Sequence, residues 1–250
     1  MISLKNQTQL SLMRKAGEIT ALALHGTGEA IKPGISTAEL DRICEQIIRK
    51  AGARPTFKGY GGFPAAACIS INDEVIHGIP SKKRIVKEGD IVSIDVGAFI
   101  NGFTGDSAFT FPCGVISPDA QRLLSVTQKS LEAGIAAAIP GNRIGDIGFA
   151  VQSVVESFGF SVVRDFVGHG VGAELHEEPE VPNFGTAGHG VRLTPGMTIA
   201  IEPMVNVGGF EVRVLSNDWT VVTCDNSLSA HFEHSIAITK SGPVILTALV

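Results

Sequence analysis

The chain has 250 residues, 44% hydrophobic and 18% charged, with a formal net charge of -5. That composition excludes a disordered chain, the acidic balance argues against general nucleic-acid binding, and no specific DNA binding is expected. The longest uninterrupted apolar runs, such as Ala65 to Ile69, cover five residues, too few to span a membrane.

In chain order, Lys5 and polar residues stand where a signal peptide needs an apolar stretch. The pattern predicts a helix over Gln9 to Ala30, then a Pro33-Gly34 turn. Ser36 with Glu39 reads as a capping box for a second helix, which Gly52 ends. Strand-like runs follow at Ile91 to Phe99 and Phe103 to Phe111. Ser117 before Pro118 is an N-cap with proline at the first helical position. A helix is predicted from there to about Ile139, and another over about Arg143 to Phe158. Further strand-like runs lie at Thr198 to Val205, Val212 to Leu215, Trp219 to Val222 and Ser229 to Thr239. The four cysteines (Cys44, Cys68, Cys113, Cys224) lie far apart without a CxxC. They suit a reducing compartment with buried or free thiols, so a cytoplasmic location is expected.

A faint internal repeat organises these elements. At one offset of 107 residues, Pro33-Gly34 maps to Pro140-Gly141, Glu39-Leu40 to Asp146-Ile147, Ile47-Ile48 to Val154-Val155, and Gly52 to Gly159. The same offset carries Gly89 to Gly196, Ile94 to Ile201 and Asp95 to Glu202. We read a single α+β domain over 1–250, with pseudo-two-fold halves at about 9–113 and 114–245. Helices are expected outside a curved, largely antiparallel sheet.

Asp95 lies inside the apolar run Ile91 to Val96, where a lone carboxylate is costly unless paired or metal-bound. Asn101-Gly102 signals a two-residue hairpin. If Ile100 pairs with Phe103, Asp95 faces Ala108, and Asp106 shares its sheet face at about 7–8 Å. A bulge at Gly105 would spoil that register. Glu202 repeats the position of Asp95, and Glu233 sits in another strand. Four carboxylates in one cleft call for neutralisation, which two divalent cations would supply. His169, flanked by Gly168 and Gly170, joins them as a candidate ligand, its glycines allowing close backbone approach to a site. The run is not a dinucleotide fingerprint, because Glu177-Glu178-Pro179 stands where a helix would be needed. A hard, oxygen-rich donor set of this kind suits manganese, iron(II), cobalt or zinc alike.

His77-Gly-Ile-Pro80, Asp95, Asp106, Gly168-His-Gly-Val-Gly172, His176-Glu-Glu-Pro179, Ile201-Glu-Pro-Met204 and Glu233-His234 occur in that order. Together they resemble a type I methionine aminopeptidase of the pita-bread (creatinase/aminopeptidase) fold, from about Gln9 to Ile245. Only 33 residues separate His169 from Glu202, which resembles type I, since type II enzymes carry a long insertion there. The first helix starts so near Met1 that the N-terminal domain of prolidases and aminopeptidase P is not expected.

The resemblance implies N-terminal methionine removal from nascent proteins and peptides, with a small second residue preferred. It makes Asp95, Asp106, His169, Glu202 and Glu233 the ligands of two divalent ions, with Asp106 and Glu233 bridging both. His77 would contact the substrate amide and His176 the scissile carbonyl, with Glu202 as general base. Tyr60, Phe63, Cys68, Leu175 and Trp219 match positions lining the methionine pocket, and Asn72 and Ser229 match a monovalent-cation site of some members. Leu175 is a departure, since members carry phenylalanine just before the second histidine. His25, His189, His231 and His234 match no catalytic role and are expected to be structural or exposed. The basic run Ser81-Lys82-Lys83-Arg84 with Lys87 is a solvated turn or a contact with ribosomal RNA near emerging chains. A monomer is expected. The rivals are a pita-bread hydrolase acting on Xaa-Pro bonds or a small amidine, and a non-catalytic binding protein on the same fold.

Overall fold

A computed structural model describes residues 2–249 of the protein. Four helices carry the outer layer: α1 (Gln7–Gly28), α2 (Thr37–Lys50), α3 (Pro118–Ala137) and α4 (Ile144–Ser157). The first begins earlier than the apolar pattern predicts, because Asn6 and Gln9 form a reciprocal capping box. At α2 only half of the expected box forms. The Ser36 hydroxyl accepts from Glu39 N–H, but the Glu39 carboxylate turns to Arg42 at 2.6 Å instead. Ser117 caps α3 as expected, with Pro118 at its first turn.

The repeat is carried into the backbone. α2 and α4 are both 14 residues long, their ends displaced by the same offset as the sequence repeat. Gly52 and Gly159 stop them in the left-handed region, each at φ 78°. Facing the interior, Leu40 and Ile147, Cys44 and Val151, and Ile48 and Val155 occupy matching positions and are fully buried. Each large apolar side chain so removed from water contributes about 1.5–3 kcal/mol. The two helical pairs therefore cover two separate apolar cores, one against each half of the β-structure.

Every ladder is antiparallel, but the β-layer is assembled from four sheets rather than one continuous ribbon. In the first half, Ile91–Ile100 is flanked by Ala67–Ile71, Arg54–Pro55 and Phe103–Pro112. In the second, five strands run in the order Gly242–Ile245, His234–Thr239, Thr198–Ile201, Gly168–Gly170, Glu177–Val181. Glu177–Val181 is a strand at the edge of that sheet, where a proline costs no ladder bond, and among the described residues no helix follows His169. The short strands Ser161–Val162, Met204–Asn206 and Ser229–His231 form one further sheet, and Glu74–Ile76, Val212–Val214 and Val221–Thr223 another.

The halves join along Phe103–Pro112. Ala108 C=O accepts from Glu233 N–H at 2.8 Å, and the Ser107 hydroxyl donates to Glu233 C=O at 2.7 Å. The Ser235 hydroxyl accepts from Asp106 N–H and donates to Asp106 C=O. Thr110 clamps His231 in the same way, at 2.9 Å on both its N–H and its C=O. Among the described residues no helix is long and apolar enough to cross a membrane.

Candidate metal centre

The hairpin register is the one the sequence predicts: Ile100 pairs with Phe103 and Asp95 with Ala108. Asn101 and Gly102 both take positive φ, as a type I′ turn requires. Gly105 makes no bulge and pairs regularly with Ala98. Its role is close approach: a Cβ there would lie 2.7 Å from Gly17 of α1. That helix thus presses directly on the strand one residue before Asp106.

The predicted strands Thr198 to Val205 and Ser229 to Thr239 are each broken, and both breaks fall at a candidate ligand. The first stops at Ile201 and resumes at Met204 around Glu202-Pro203, and the second is interrupted at Phe232-Glu233. Pro203 has no N–H for a ladder. The main chain around these acids bonds elsewhere: Asn183 donates to Glu202 C=O at 3.0 Å, and Glu233 is held by Ser107 and Ala108. Both carboxylates are thus freed from sheet alternation and turned into the cleft.

His169 lies in the strand Gly168–Gly170. Its glycine neighbours serve the sheet rather than the site: a Cβ at Gly168 would meet Ala200 C=O at 2.4 Å, and one at Gly170 would meet Glu178 C=O at 2.2 Å. His169 Nδ1 lies 2.9 Å from Gly170 C=O. A carbonyl only accepts, so Nδ1 carries the proton and the lone pair is left on Nε2. That nitrogen is 3.4 Å from Glu202 Oε1 and 3.7 Å from Asp106 Oδ2. Candidate ligand atoms of Asp106, His169 and Glu233 all lie within 4.8 Å of one another.

The site is electrostatically unsatisfied. Asp95 Oδ1, Asp106 Oδ1 and Glu233 Oε1 are buried without a hydrogen-bond partner, a costly state for acceptors with no donor nearby. Burial raises the Asp95 pKa to about 7 and that of Glu202 to about 8. Burial and then the neighbouring acids push Asp106 and Glu233 well up. His169 is driven down by burial to about 3 and stays a neutral donor of electrons. Four buried carboxylates, three of them with an orphaned oxygen, and one fixed imidazole lone pair fit a divalent cation.

The sign of the pH dependence follows for metal-free protein. A raised carboxyl contributes stability that is fully present below its unfolded pKa near 4 and is lost as pH rises through its folded value. The buried histidines act oppositely, but only below about pH 6.5. Melting of the metal-free protein is therefore expected to fall steadily between about pH 6.5 and 8.5, and a saturating divalent ion to abolish the slope. A flat apo profile in differential scanning fluorimetry would contradict this picture.

One cavity of about 290 Å³ collects the candidate metal ligands Asp95, Asp106, His169, Glu202 and Glu233 with His77, His176, Tyr60, Phe63, Cys68, Leu175 and Trp219, but not Asn72 or Ser229. Phe57, Ile76, Phe166 and Val167 also line it; no motif marked them, since isolated apolar residues carry no signal of their own. The apolar wall is packed, with Phe63 edge-on to Trp219 at 5.1 Å and Leu175 buried against Phe57, Phe63 and Cys68. Cys68 stands across the ladder from Asp95, and burial keeps its thiol protonated. His77 takes φ 57°, a strained backbone for a non-glycine residue and one found at functional sites. Its ring lies edge-on to both Phe166 and Trp219.

Two features escaped sequence reasoning. Of the two expectations for His231, structural or exposed, exposure fails, and its closeness to the acids carried no signal: it is fully buried, both ring nitrogens lack partners, and Nε2 lies 3.6 Å from Glu202 Oε2. Lys5, noted only as a charge near the N-terminus, is buried and bonds Glu177 at 2.5 Å. It thereby ties the N-terminal segment to the residue beside His176. His25 packs against Phe109 and Phe111, His234 bonds Thr247, and His189 is exposed.

Comparison with known proteins agrees with this arrangement. Residues 11–240 match the model of metallopeptidase family M24. A methionine aminopeptidase of Clostridium acetobutylicum is 56% identical, covering 99% of each chain. The crystal structure of a methionine aminopeptidase from Thermotoga maritima superposes with a TM-score of 0.97 at 48% identity, covering 99% of each chain. A prolidase from Pyrococcus horikoshii shares the fold at a TM-score of 0.80 and 24% identity, covering 99% of this chain and 64% of the prolidase. With a family match over nearly the whole length and a buried carboxylate–histidine cluster at its centre, the chain belongs to metallopeptidase family M24.

Proposed function

We infer that this chain is a metal-dependent aminopeptidase that removes the N-terminal methionine from peptides and nascent polypeptides, preferring a small second residue. The observation that carries the reading is one cavity with two unlike walls: orphaned carboxylates with a histidine on one side, and a buried aromatic and aliphatic pocket on the other. The apolar wall suits an unbranched thioether side chain, and relatives above 50% identity bear the name methionine aminopeptidase.

Asp95, Asp106, His169, Glu202 and Glu233 would hold two divalent ions, since two double charges offset four carboxylates. Manganese, iron(II), cobalt and zinc all suit the donor set. When bound, such ions acidify water and polarise a carbonyl. Glu202, whose carboxylate lies beside His169 and His231, would take a proton from the attacking water. His176 donates to the scissile carbonyl oxygen as charge develops there, and His77 contacts the substrate amide. For a monovalent cation near Asn72 and Ser229 the support is the buried, unpartnered Ser229 hydroxyl; the Asn72 side chain is already engaged by Asp90 and Ile91.

Metal-loaded protein should hydrolyse Met-Ala-Ser and leave Xaa-Pro peptides intact. The reverse preference would make the chain an Xaa-Pro hydrolase on this fold, and loss of both activities would leave a binding protein.

Leu175 shapes selectivity in this reading. A phenylalanine there would offer the methionine sulfur a contact worth about 0.3–1.5 kcal/mol. Leu175→Phe is expected to raise the ratio of kcat/KM for methionine over leucine, with norleucine between, by no more than about 1–3 kcal/mol in free-energy terms. An unchanged or reversed ratio, with the same metal loaded, would remove Leu175 from the pocket's selectivity.

Lys82, Lys83 and Lys87 are exposed, while Arg84 is engaged by Glu74 at 3.0 Å. These free charges support a ribosomal contact by a monomer acting in the cytoplasm on emerging chains. Reversing the three lysine charges should weaken salt-sensitive ribosome co-sedimentation without changing peptide hydrolysis. Unchanged co-sedimentation would return the segment to a solvated turn.

A further inference from the structure

The Tyr60 phenol is placed for more than lining a pocket. Its hydroxyl oxygen lies 2.7 Å from His176 Nδ1, with the two rings tilted by 57° at 5.2 Å between centroids. The ring is presented by a tight turn, Tyr60–Gly62, entered through Gly59 at φ 90° and carrying Gly61 at φ 55°. The turn is braced on both sides: Tyr60 N–H donates to Phe57 C=O, and Phe63 N–H to Tyr60 C=O, each at 2.9 Å. At Gly61 a Cβ would come within 3.3 Å of Trp219. The backbone thus fixes where the phenol stands relative to the opposite pocket wall.

A neutral imidazole accepts at one ring nitrogen and donates from the other. Which nitrogen holds the proton is set by the partner of the other one. The phenol is available as a donor, because burial and then the charges of Glu174 and Asp106 keep its proton on. His176 also lies edge-on to His169, with 4.2 Å between ring centroids, and among the described residues the Tyr60 hydroxyl is the partner of its Nδ1.

We propose that Tyr60 is a positioning residue for His176: its hydroxyl donates to Nδ1, which places the imidazole proton on Nε2 and aims that N–H at the scissile carbonyl. The proposal rests on the reading of the chain as a methionine aminopeptidase with His176 as that donor. Its consequence is that one side chain both walls the methionine pocket and orients the group acting on the peptide bond.

Tyr60→Phe keeps the ring and removes only the hydroxyl. On Met-Ala-Ser its kcat should fall about tenfold, the rate equivalent of one ordinary hydrogen bond, with KM within about twofold and melting unchanged. In a His176→Ala background the same change should have no further effect, because residues acting through one another are not additive. Heteronuclear NMR of histidine-labelled, zinc-loaded protein should show His176 as the Nε2–H tautomer, and a mixture of tautomers in Tyr60→Phe. An equal loss of kcat in both backgrounds, a loss confined to KM, or an unaltered tautomer would overturn the proposal. The NMR arm needs no substrate, so it stands or falls independently of whether Met-Ala-Ser is hydrolysed.

Discussion

Replacing Asp106 by asparagine is expected to reduce peptidase activity to background while leaving a folded protein. The substitution is isosteric, and the main-chain bonds of Asp106 to the Ser235 hydroxyl do not involve its side chain. What is lost is the charge at the middle of the cluster. Asp106 is 4% exposed, with Oδ1 unpartnered and Oδ2 3.7 Å from the free nitrogen of His169. An amide supplies one neutral oxygen in place of two charged ones and brings an N–H₂ that has only acids and a metal to face. Even outer partners of metal ligands cost 10–100-fold in affinity when removed, so the loss for a candidate ligand at the middle of the cluster should be at least about a hundredfold. Calorimetric titration with manganese or zinc measures it directly. Without metal the variant should melt no lower than the parent near pH 8, because one of four mutually repelling buried acids is gone. Near-normal turnover of Asp106→Asn would sink the two-ion arrangement.

Much of this geometry was legible in the sequence because it depends on local rules. Asn101-Gly102 fixes a two-residue turn, and once it does, alternation alone decides that Asp95 and Asp106 share a face. The repeat was legible for a similar reason: Pro-Gly turns and helix-stopping glycines demand particular backbone angles, and Gly52 and Gly159 meet that demand at the same φ. What stayed hidden depends on contacts distant in sequence. Glu202 and Glu233 read as interior strand residues, whereas the chain leaves the ladder at both, held by Asn183, Ser107 and Ala108. The flanking glycines of His169 pointed to close approach, but the approaching backbones are Ala200 and Glu178 of neighbouring strands. Nothing local marks His231 or Lys5, since a histidine in a strand and a lysine near a terminus are ordinarily solvated. Only the pairing of Met204–Asn206 with Ser229–His231 brings His231 to Glu202, and only the return of the N-terminal segment along Gly196 brings Lys5 to Glu177.

His176→Ala should lower kcat by roughly 10²–10³-fold, the usual cost of one donor aimed at a developing oxyanion, and leave KM nearly unchanged. The structure supports a donor used late rather than a binding contact. The ring stands at the lip of the cavity rather than in its apolar pocket, held by the Tyr60 hydroxyl on one side and edge-on to His169 on the other. Burial lowers its pKa below the ordinary histidine value. At neutral pH it is therefore an uncharged N–H donor, which gains little from a neutral ground-state carbonyl and much more from an oxygen gaining charge. An interaction that strengthens only in the transition state lowers kcat and kcat/KM together. Because His176 touches a candidate ligand, metal affinity must be measured on the same variant. It should stay within a few-fold of the parent, since His169 keeps its own bond to Gly170 C=O. A rise in KM with kcat preserved would make His176 a ground-state binding residue. A collapse of metal affinity would assign its effect to the support of His169.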